Sequence, residues 1–402
     1  MGLTIVETIA LFDANWHGHH PTYLKLITKV LLDSDYKVWL LCQRPAEVEQ
    51  WVKQNTDEKK LKYLKTYKIS RMLPKNYITW WVWGLQNWIN ASNYIKTLEK
   101  QNGYKPDIVL FLKVDDFTKG LLTAHWIDTI FPYAWSGIYI FLKFQLKIKL
   151  PFIQKSIYPL FLAFSAKNCK SIGILQEDCA SKFQSIINKP VVVLPDVTDG
   201  SQPSQNDLVQ TILQKARGRK IIGLIGGQDK RKGSFTLLEI AKRCKDKDWF
   251  FLFAGKMNYH RSDRELEQLK RVIGNEKHWE NCFFHFNRIP DECDFNGVFD
   301  LCDVIFAVYP DFQHSSNIIT KAALFRKPII VASEKLMAKR VEEFNIGTSC
   351  KQGDIEDCIK KIGMLLEDKL PDPMYEEYYN NHSITNLEIQ LKSIIDLSLE
   401  KK

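Results

Sequence analysis

Short apolar runs alternate with longer stretches of helical period from one end of the chain to the other. Such alternation predicts parallel sheets whose strands are joined by crossover helices. In the first half the strands are expected at 5–12, 38–42, 108–114, 136–141, 171–175 and 191–194. In the second they are expected at 221–225, 249–254, 282–286, 304–308 and 328–331, with amphipathic helices at 356–366 and 385–400. Between the halves, 198–218 turns to Gly, Ser, Asn and Asp and reads as a linker. The expected fold class is α/β, with Rossmann-like domains at 1–197 and 219–375 and a closing segment at 376–402. Two such domains would place a cleft at the carboxyl ends of their parallel strands.

One of these strands leads into suggestive chemistry. Ile221-Ile222-Gly223-Leu224-Ile225 breaks into Gly226-Gly227, crosses Gln228-Asp229-Lys230-Arg231-Lys232-Gly233-Ser234, and enters a helix of apolar period. A glycine turn before a helix start gathers unpaired N–H groups and a positive helix end at one point, which suits a phosphate. Lys232 would add mobile charge. The run is neither the dinucleotide fingerprint nor a P-loop, and alone it describes a tight turn with solvated lysines equally well. The stretch from Tyr309 to Leu324 weighs against that plainer reading. Ser315 or Ser316, beside Asn317, can cap the following helix, and Lys321 lies about a turn inside it. Two helix starts with Lys232 and Lys321 would suit a diphosphate, the alternative being an ordinary capped helix.

Composition adds limits. With 402 residues, 45% hydrophobic and 26% charged, the chain reads as a folded soluble protein of two domains. Its nine cysteines include no C-x-x-C pair, which argues for reduced thiols and against a disulfide framework or a zinc site, so no metal is expected. The start shows neither a basic stretch nor a small-residue cleavage site, so no signal peptide is expected. Of the formal net charge of +9, +8 falls in residues 1–200. Residues 141–170 carry six lysines and no acid, and 61–75 carry Lys62, Lys65, Lys68, Arg71 and Lys75, again without an acid. With nine of the eleven tryptophans before residue 140, this half points to an anionic partner, a membrane surface first, or else to a solvated lysine-rich face. The uncharged run 76–95 is too polar to span a bilayer. Its Trp80, Trp81, Trp83 and Trp88 fit an interface, an acceptor or a buried helix. Nucleic acid has only the net charge behind it.

The order of these segments resembles a GT-B glycosyltransferase, close to the large retaining nucleotide-sugar-dependent group (glycosyltransferase family 4-like). The resemblance rests on 221–234, on 250–255 ending at Gly255, on 301–306, and on 322–333 with Lys327-Pro328-Ile329-Ile330-Val331-Ala332-Ser333. Val191-Val192-Val193-Leu194-Pro195-Asp196 resembles the exit from the family's first domain, and Trp16-His17-Gly18-His19-His20 its first-domain glycine loop. The resemblance implies two Rossmann-like domains facing across a cleft and a last helix that crosses back to the first. It implies a nucleotide diphosphate sugar as donor, no cofactor, and a polysaccharide or lipid-linked glycan as acceptor. It also implies cytoplasmic placement, peripheral at the inner face of the plasma membrane, with 141–170 as the docking stretch.

Residue by residue, it assigns donor contacts to Gly226, Gly227, Lys232, Gly255, Ser315, Ser316, Asn317 and Lys321, and acceptor contacts to Gly18, His20, Trp135 and Ser136. His19 and Asp115 are the acid–base candidates, with His20, Asp116 and His125 behind them; Asp116 could equally cap a helix and His125 pack in a core. The donor site is atypical. Gly227 stands where the family usually has arginine, Gln313 and Lys321 stand where it has two glutamates, and 135–139 lacks its usual histidine. An ammonium at 321 cannot accept hydrogen bonds from sugar hydroxyls, so it would bind phosphate or a carboxylated sugar. Alternatives to a transferase are a non-catalytic GT-B-like nucleotide- or glycan-binding protein and a nucleotide-sugar epimerase.

Overall fold

The computed structural model describes residues 6–16, 18, 20–72, 82–118, 124–140, 162–257, 263–274, 279–289, 292–367 and 370–399. The chain forms two compact units, Met1–Val197 with Ser383–Lys402, and Thr198–His382.

The first unit is built on seven parallel strands: β1 (Thr8–Asp13), β2 (Lys37–Cys42), β3 (Leu64–Lys68), β4 (Ile108–Phe111), β5 (Trp135–Tyr139), β6 (Cys169–Ile174) and β7 (Val191–Val193). Their order is β3-β2-β1-β4-β5-β6-β7. Both faces are covered, so a central strand reads as a continuous apolar run rather than an alternating one. Along β1, Ala10 and Phe12 join a core with Trp88, Phe111 and Trp135, while Ile9 and Leu11 join Leu24, Ile27 and Leu391 on the other face. Helix Trp83–Asn102 covers the first face. Trp88 lies 4.8 Å from the ring of Trp135 and 5.4 Å from that of Phe111, and its Nε1 donates to the Phe117 carbonyl at 3.0 Å. Trp83 and Trp88 are therefore core residues, whereas Trp80 and Trp81 lie outside the described residues.

β3 was not expected, because Leu64-Lys65-Thr66-Tyr67-Lys68 breaks its apolar pattern with lysines. It is an edge strand with Lys65 and Lys68 exposed, an arrangement that discourages pairing with another chain. The final helix, Ile384–Leu399, packs Leu387, Leu391, Ile394 and Ile395 into the first unit's core.

The second unit has six parallel strands: β8 (Lys220–Ile225), β9 (Trp249–Ala254), β10 (Cys282–His285), β11 (Val304–Ala307), β12 (Ile329–Ala332) and β13 (Gly347–Cys350). Their order is β10-β9-β8-β11-β12-β13. Two boundaries differ from expectation. The stretch expected as linker carries helix Asp207–Ala216, capped by the Asn206 side chain on Val209 N, with Val209, Ile212 and Ala216 buried in the core. Its polar residues are bound rather than solvated: Asn296 Nδ2 donates to the Ser201 carbonyl at 2.7 Å, and Ser204 Oγ to Asp294 at 2.6 Å. Helix Tyr375–Asn381 stays with the second unit, because its fully buried Tyr378 packs at 5.1 Å on Phe344. Among the described residues no helix is long and apolar enough to cross a membrane.

Candidate active site

In each sheet the strand order reverses once beside the first strand, between β1 and β4 in one unit and between β8 and β11 in the other. Loops leaving the carboxyl ends of such strand pairs diverge to opposite faces and leave a crevice, the usual ligand position in open parallel sheets.

At the second unit's reversal point the chain turns through Gly226 against Gly255. Gly226 N–H donates to the Ala254 carbonyl at 2.8 Å, and Gly255 has φ +131°. A Cβ on Gly255 would stand 2.0 Å from the Gly226 carbonyl oxygen, so only glycine allows this approach. The next residue but one, Gln228, is buried and ties the turn together. Its Nε2 donates to the carbonyls of Leu224 (3.0 Å) and Gly226 (3.2 Å), and its Oε1 accepts from Ser234 Oγ at 3.2 Å. Ser234 is thereby drawn inward and does not cap its own helix. Helix Ser234–Arg243 begins at Gly233 with no side-chain cap; Ser234 N donates to the Asp229 carbonyl at 3.3 Å, which leaves the N–H groups of Phe235 and Thr236 to a ligand. Asp229 organises the basic loop by accepting from Lys232 N at 2.7 Å and pairing with Arg231 at 3.5 Å.

The Lys232 ammonium sits 3.9 Å over the ring of Tyr309, the first loop residue but one after β11. One cation thus meets loops from both strands of the reversal. Tyr309 is buried, which pushes its phenol above the usual range, with the neighbouring Arg231 and Ser316 acting in the opposite direction. Ser315 Oγ accepts from the guanidinium of Arg340, which is 4% exposed and comes from helix Leu336–Glu343. Neither serine caps the following helix, Ile318–Leu324, where Asn317 occupies the cap position and its side chain does not bond to the first-turn N–H groups. Gln313 Oε1 is shielded from solvent and has no hydrogen-bond partner among the described residues.

Lys321 is placed differently from expectation. It is 4% exposed, and its ammonium donates to the Asp199 carbonyl at 3.2 Å and to Asn296 Oδ1, with Glu292 at 3.6 Å. Three N–H groups thus meet three acceptors. Burial lowers its pKa, opposed by Glu292 and Asp199. The lysine braces the 198–206 segment against helix Glu292–Asp300 instead of facing a diphosphate.

The first unit's reversal point is chemically unlike the second. Asp13, the last residue of β1, is buried; its Oδ2 meets His20 Nδ1 at 2.6 Å and its Oδ1 accepts from Asn15 N at 2.8 Å. A carboxylate can only accept, so Nδ1 carries the proton, and in the neutral imidazole Nε2 is then the acceptor of the ring. Asn15 Nδ2 reaches Asp116 Oδ2 at 3.3 Å, and Lys113 pairs with the same oxygen at 3.1 Å. Asn87 Nδ2 holds the Asp116 carbonyl at 2.9 Å. Asp115 Oδ2 accepts from Ile140 N at 3.0 Å and so pins the carboxyl end of β5. Gly18 has φ +61° on the exposed loop, and His19 lies outside the described residues.

Trp135 and Ser136 do not join this cluster. They begin β5, and the reversal-point loops leave the other end of the sheet. Trp135 is wholly buried among aromatics, and Ser136 Oγ bonds Ser171 Oγ at 2.9 Å and Ser398 Oγ at 3.1 Å, fastening the last helix to the sheet. His125 is exposed on helix Ala124–Ile130 rather than packed in a core. Of 141–170, residues 141–161 lie outside the described residues. None of the nine cysteines forms a disulfide, and no group of three or more metal-ligating side chains occurs among the described residues.

Asp13, Asn15, Gln228 and Arg340 were not among the expected residues. A polar residue ending an apolar strand (Asp13) and one directly after a Gly-Gly turn (Gln228) were signals in the sequence; Arg340 offered none.

Residues 207–383 match the family model of group 1 glycosyl transferases. The match spans nearly all of the second unit. No curated protein matches the chain. Among solved structures, a glycosyltransferase from Rickettsia africae is similar at TM-score 0.69 and 13% identity, covering 100% of both chains. HepE from Anabaena, in complex with UDP and glucose, is similar at TM-score 0.69 and 12% identity over 97% of this chain and 99% of that one. Sucrose-phosphate synthase from Thermosynechococcus elongatus follows at TM-score 0.66 and 13% identity, covering 97% and 98%. The chain therefore has the GT-B fold, with the group 1 glycosyl transferase match on its second unit.

Proposed function

We propose that the chain transfers a hexose from a nucleotide diphosphate sugar to a glycan or lipid-linked acceptor, with retention at the anomeric carbon. The observation that carries this reading is the Gly226–Gly255 contact, with an uncapped helix start and Lys232 beside it. Backbone N–H groups and a cation converging where two strand loops part form a diphosphate cradle. HepE was solved with UDP and glucose, which makes uridine diphosphate the first nucleotide to test. Gln313 Oε1, shielded and unpartnered, would accept a hydrogen bond from a donor-sugar hydroxyl. On the first unit, His20 held by Asp13 would orient the attacking acceptor hydroxyl through Nε2; retention then requires attack from the face that the diphosphate leaves, with the hydroxyl proton passing to the departing phosphate oxygen. Departure of the diphosphate is assisted by Lys232 and the helix start.

Isothermal titration of the full chain with uridine diphosphate and with uridine tests the cradle. Lys232→Ala should weaken the diphosphate about tenfold, the worth of one charge-assisted contact, and leave uridine unchanged. Equal loss for both ligands would remove the phosphate role. Failure of every nucleotide diphosphate to bind the unaltered protein would remove the donor site altogether. Transfer itself is read by mass spectrometry of glycan products and its stereochemistry by the anomeric proton coupling. Binding without slow donor hydrolysis or transfer would leave a nucleotide-binding protein.

A further inference from the structure

A groove of about 360 Å³ lies on the first unit, lined by Ser70, Arg71, Met72, Asn90, Asn93, Tyr94 and Thr97. Ser70 to Met72 follow the carboxyl end of edge strand β3, and the other four residues belong to helix Trp83–Asn102. Asn90, Asn93, Tyr94 and Thr97 have the i, i+3, i+4, i+7 spacing of one helical face, opposite the buried face of Trp88, Ala91, Ile95 and Leu98.

The groove's chemistry is selective. Tyr94 OH is held by Ser70 N at 3.2 Å, and Thr97 Oγ1 donates to the Asn93 carbonyl at 2.8 Å. The Arg71 guanidinium and the Asn90 and Asn93 carboxamides make no hydrogen bond or ion pair among the described residues. No acid lines the groove. Lys62, Lys65 and Lys68 stand on the neighbouring stretch, which also lacks acids from 61 to 75. Carboxamides that donate and accept at once match vicinal sugar hydroxyls, and a planar guanidinium matches a carboxylate in bidentate fashion. The half-buried Tyr94 ring offers a face to sugar C–H groups. The volume falls in the range of small-ligand sites.

We propose that this groove is a binding subsite for a saccharide bearing carboxylate groups, apart from the β1/β4 reversal point and independent of nucleotide binding. Asn87, which holds Asp116 at that reversal point, is one helical turn from Asn90, about 5 Å along the axis. A glycan seated in the groove thus lies alongside the acceptor cluster of the same unit.

The test is saturation-transfer NMR and isothermal titration of the full chain with trigalacturonate, with maltotriose as a neutral trisaccharide, and with inorganic phosphate as a free anion. Trigalacturonate should bind, and maltotriose should bind about tenfold more weakly or not at all. Phosphate at equal concentration should not displace trigalacturonate. Arg71→Gln should weaken trigalacturonate about tenfold, Asn93→Ala should weaken it less, and both should leave uridine diphosphate binding unchanged. Arg71 and Asn93 are exposed, so both variants should fold. Equal affinity for the two saccharides, displacement by phosphate, or indifference to Arg71→Gln would overturn the proposal. So would flotation of the protein with phosphatidylglycerol vesicles, lost in Arg71→Gln, in the absence of any saccharide binding. Loss of nucleotide binding in the unaltered protein would strike the donor site alone and leave the groove standing.

Discussion

The two strand-order reversals share a topology and differ in chemistry. At β8/β11 the crevice is walled by backbone: Gly226 against Gly255, an uncapped helix start, and one lysine resting on Tyr309. At β1/β4 it is walled by polar and charged side chains that hold one another: Asp13 with His20, and Asp116 with Asn15 and Lys113. A backbone cradle gives directional donors of fixed position, which suits a multiply charged phosphate. A carboxylate–imidazole pair gives an oriented proton acceptor, which suits a hydroxyl group. Under the proposed function, one sheet geometry would serve both halves of a group-transfer reaction, with the residues at the loop starts deciding which half.

The contrast breaks hardest at the glycines. Gly255→Ala brings a methyl carbon 2.0 Å from the Gly226 oxygen at a φ of +131°. Both the clash and the strain act, so the second unit should lose about 3 kcal/mol or more in denaturant unfolding, and uridine diphosphate binding with it. Gly18→Ala is the matched control on the first unit. At φ +61° with nothing within 4 Å of the new carbon, it should cost about 1 kcal/mol and leave the nucleotide titration unchanged. Similar effects at both positions would show that neither turn is shaped by close backbone approach.

Lys321→Met separates bracing from binding at the second reversal. Removing the ammonium strands the Asp199 carbonyl, Asn296 and a part-exposed Glu292, for a loss of about 3 kcal/mol. The affinity of the folded variant for uridine diphosphate should be unchanged; a tenfold loss would return Lys321 to the donor site. The pH dependence has a definite sign. Burial lowers the folded-state pKa below 10.5, so in the window between that lowered value and 10.5 the unfolded chain binds more protons. The stability of the unaltered protein relative to Lys321→Met should therefore rise as pH climbs through that window. Paired denaturant titrations from neutral pH to 10.5 check it.

On the first unit, Asp13→Asn offers His20 an amide in place of a carboxylate and frees the wrong tautomer. Transfer should fall about 100-fold, and uridine diphosphate affinity should stay within about twofold. A change in nucleotide affinity instead would mean that the two crevices are not chemically separate.

Much of the architecture was legible because central parallel strands are buried on both faces and appear as unbroken apolar runs, as in Ile108–Phe111 and Trp249–Ala254. The edges were not. Leu64–Lys68 carries lysines, and Gly347–Cys350 has no apolar run, since an edge needs neither. Linker composition at 198–206 proved ambiguous, because Ser, Asn and Asp satisfy backbone groups inside a fold as readily as they meet water. At the site, the glycine turn was visible because close backbone approach demands a residue type. Lys321 was misplaced because spacing along a helix does not say which neighbour its face meets. Asp13 and His20 went unpaired because the loop that brings them together has no period to read.

Trp135 and Ser136 show the same limit on a strand, where the residues were located but the end of the sheet they occupy was not. Ser136→Ala is the smallest of these tests and isolates that point. Its hydroxyl bridges Ser171 and Ser398, so its loss should cost about 1 kcal/mol in unfolding of the first unit. Ser398→Ala should cost a similar amount, and the double variant less than the sum, because both remove one shared bond. Acceptor KM should not move in any of the three. A raised KM with unchanged stability would place Ser136 back among the acceptor contacts, and the distinction between the two ends of the first sheet would fail with it.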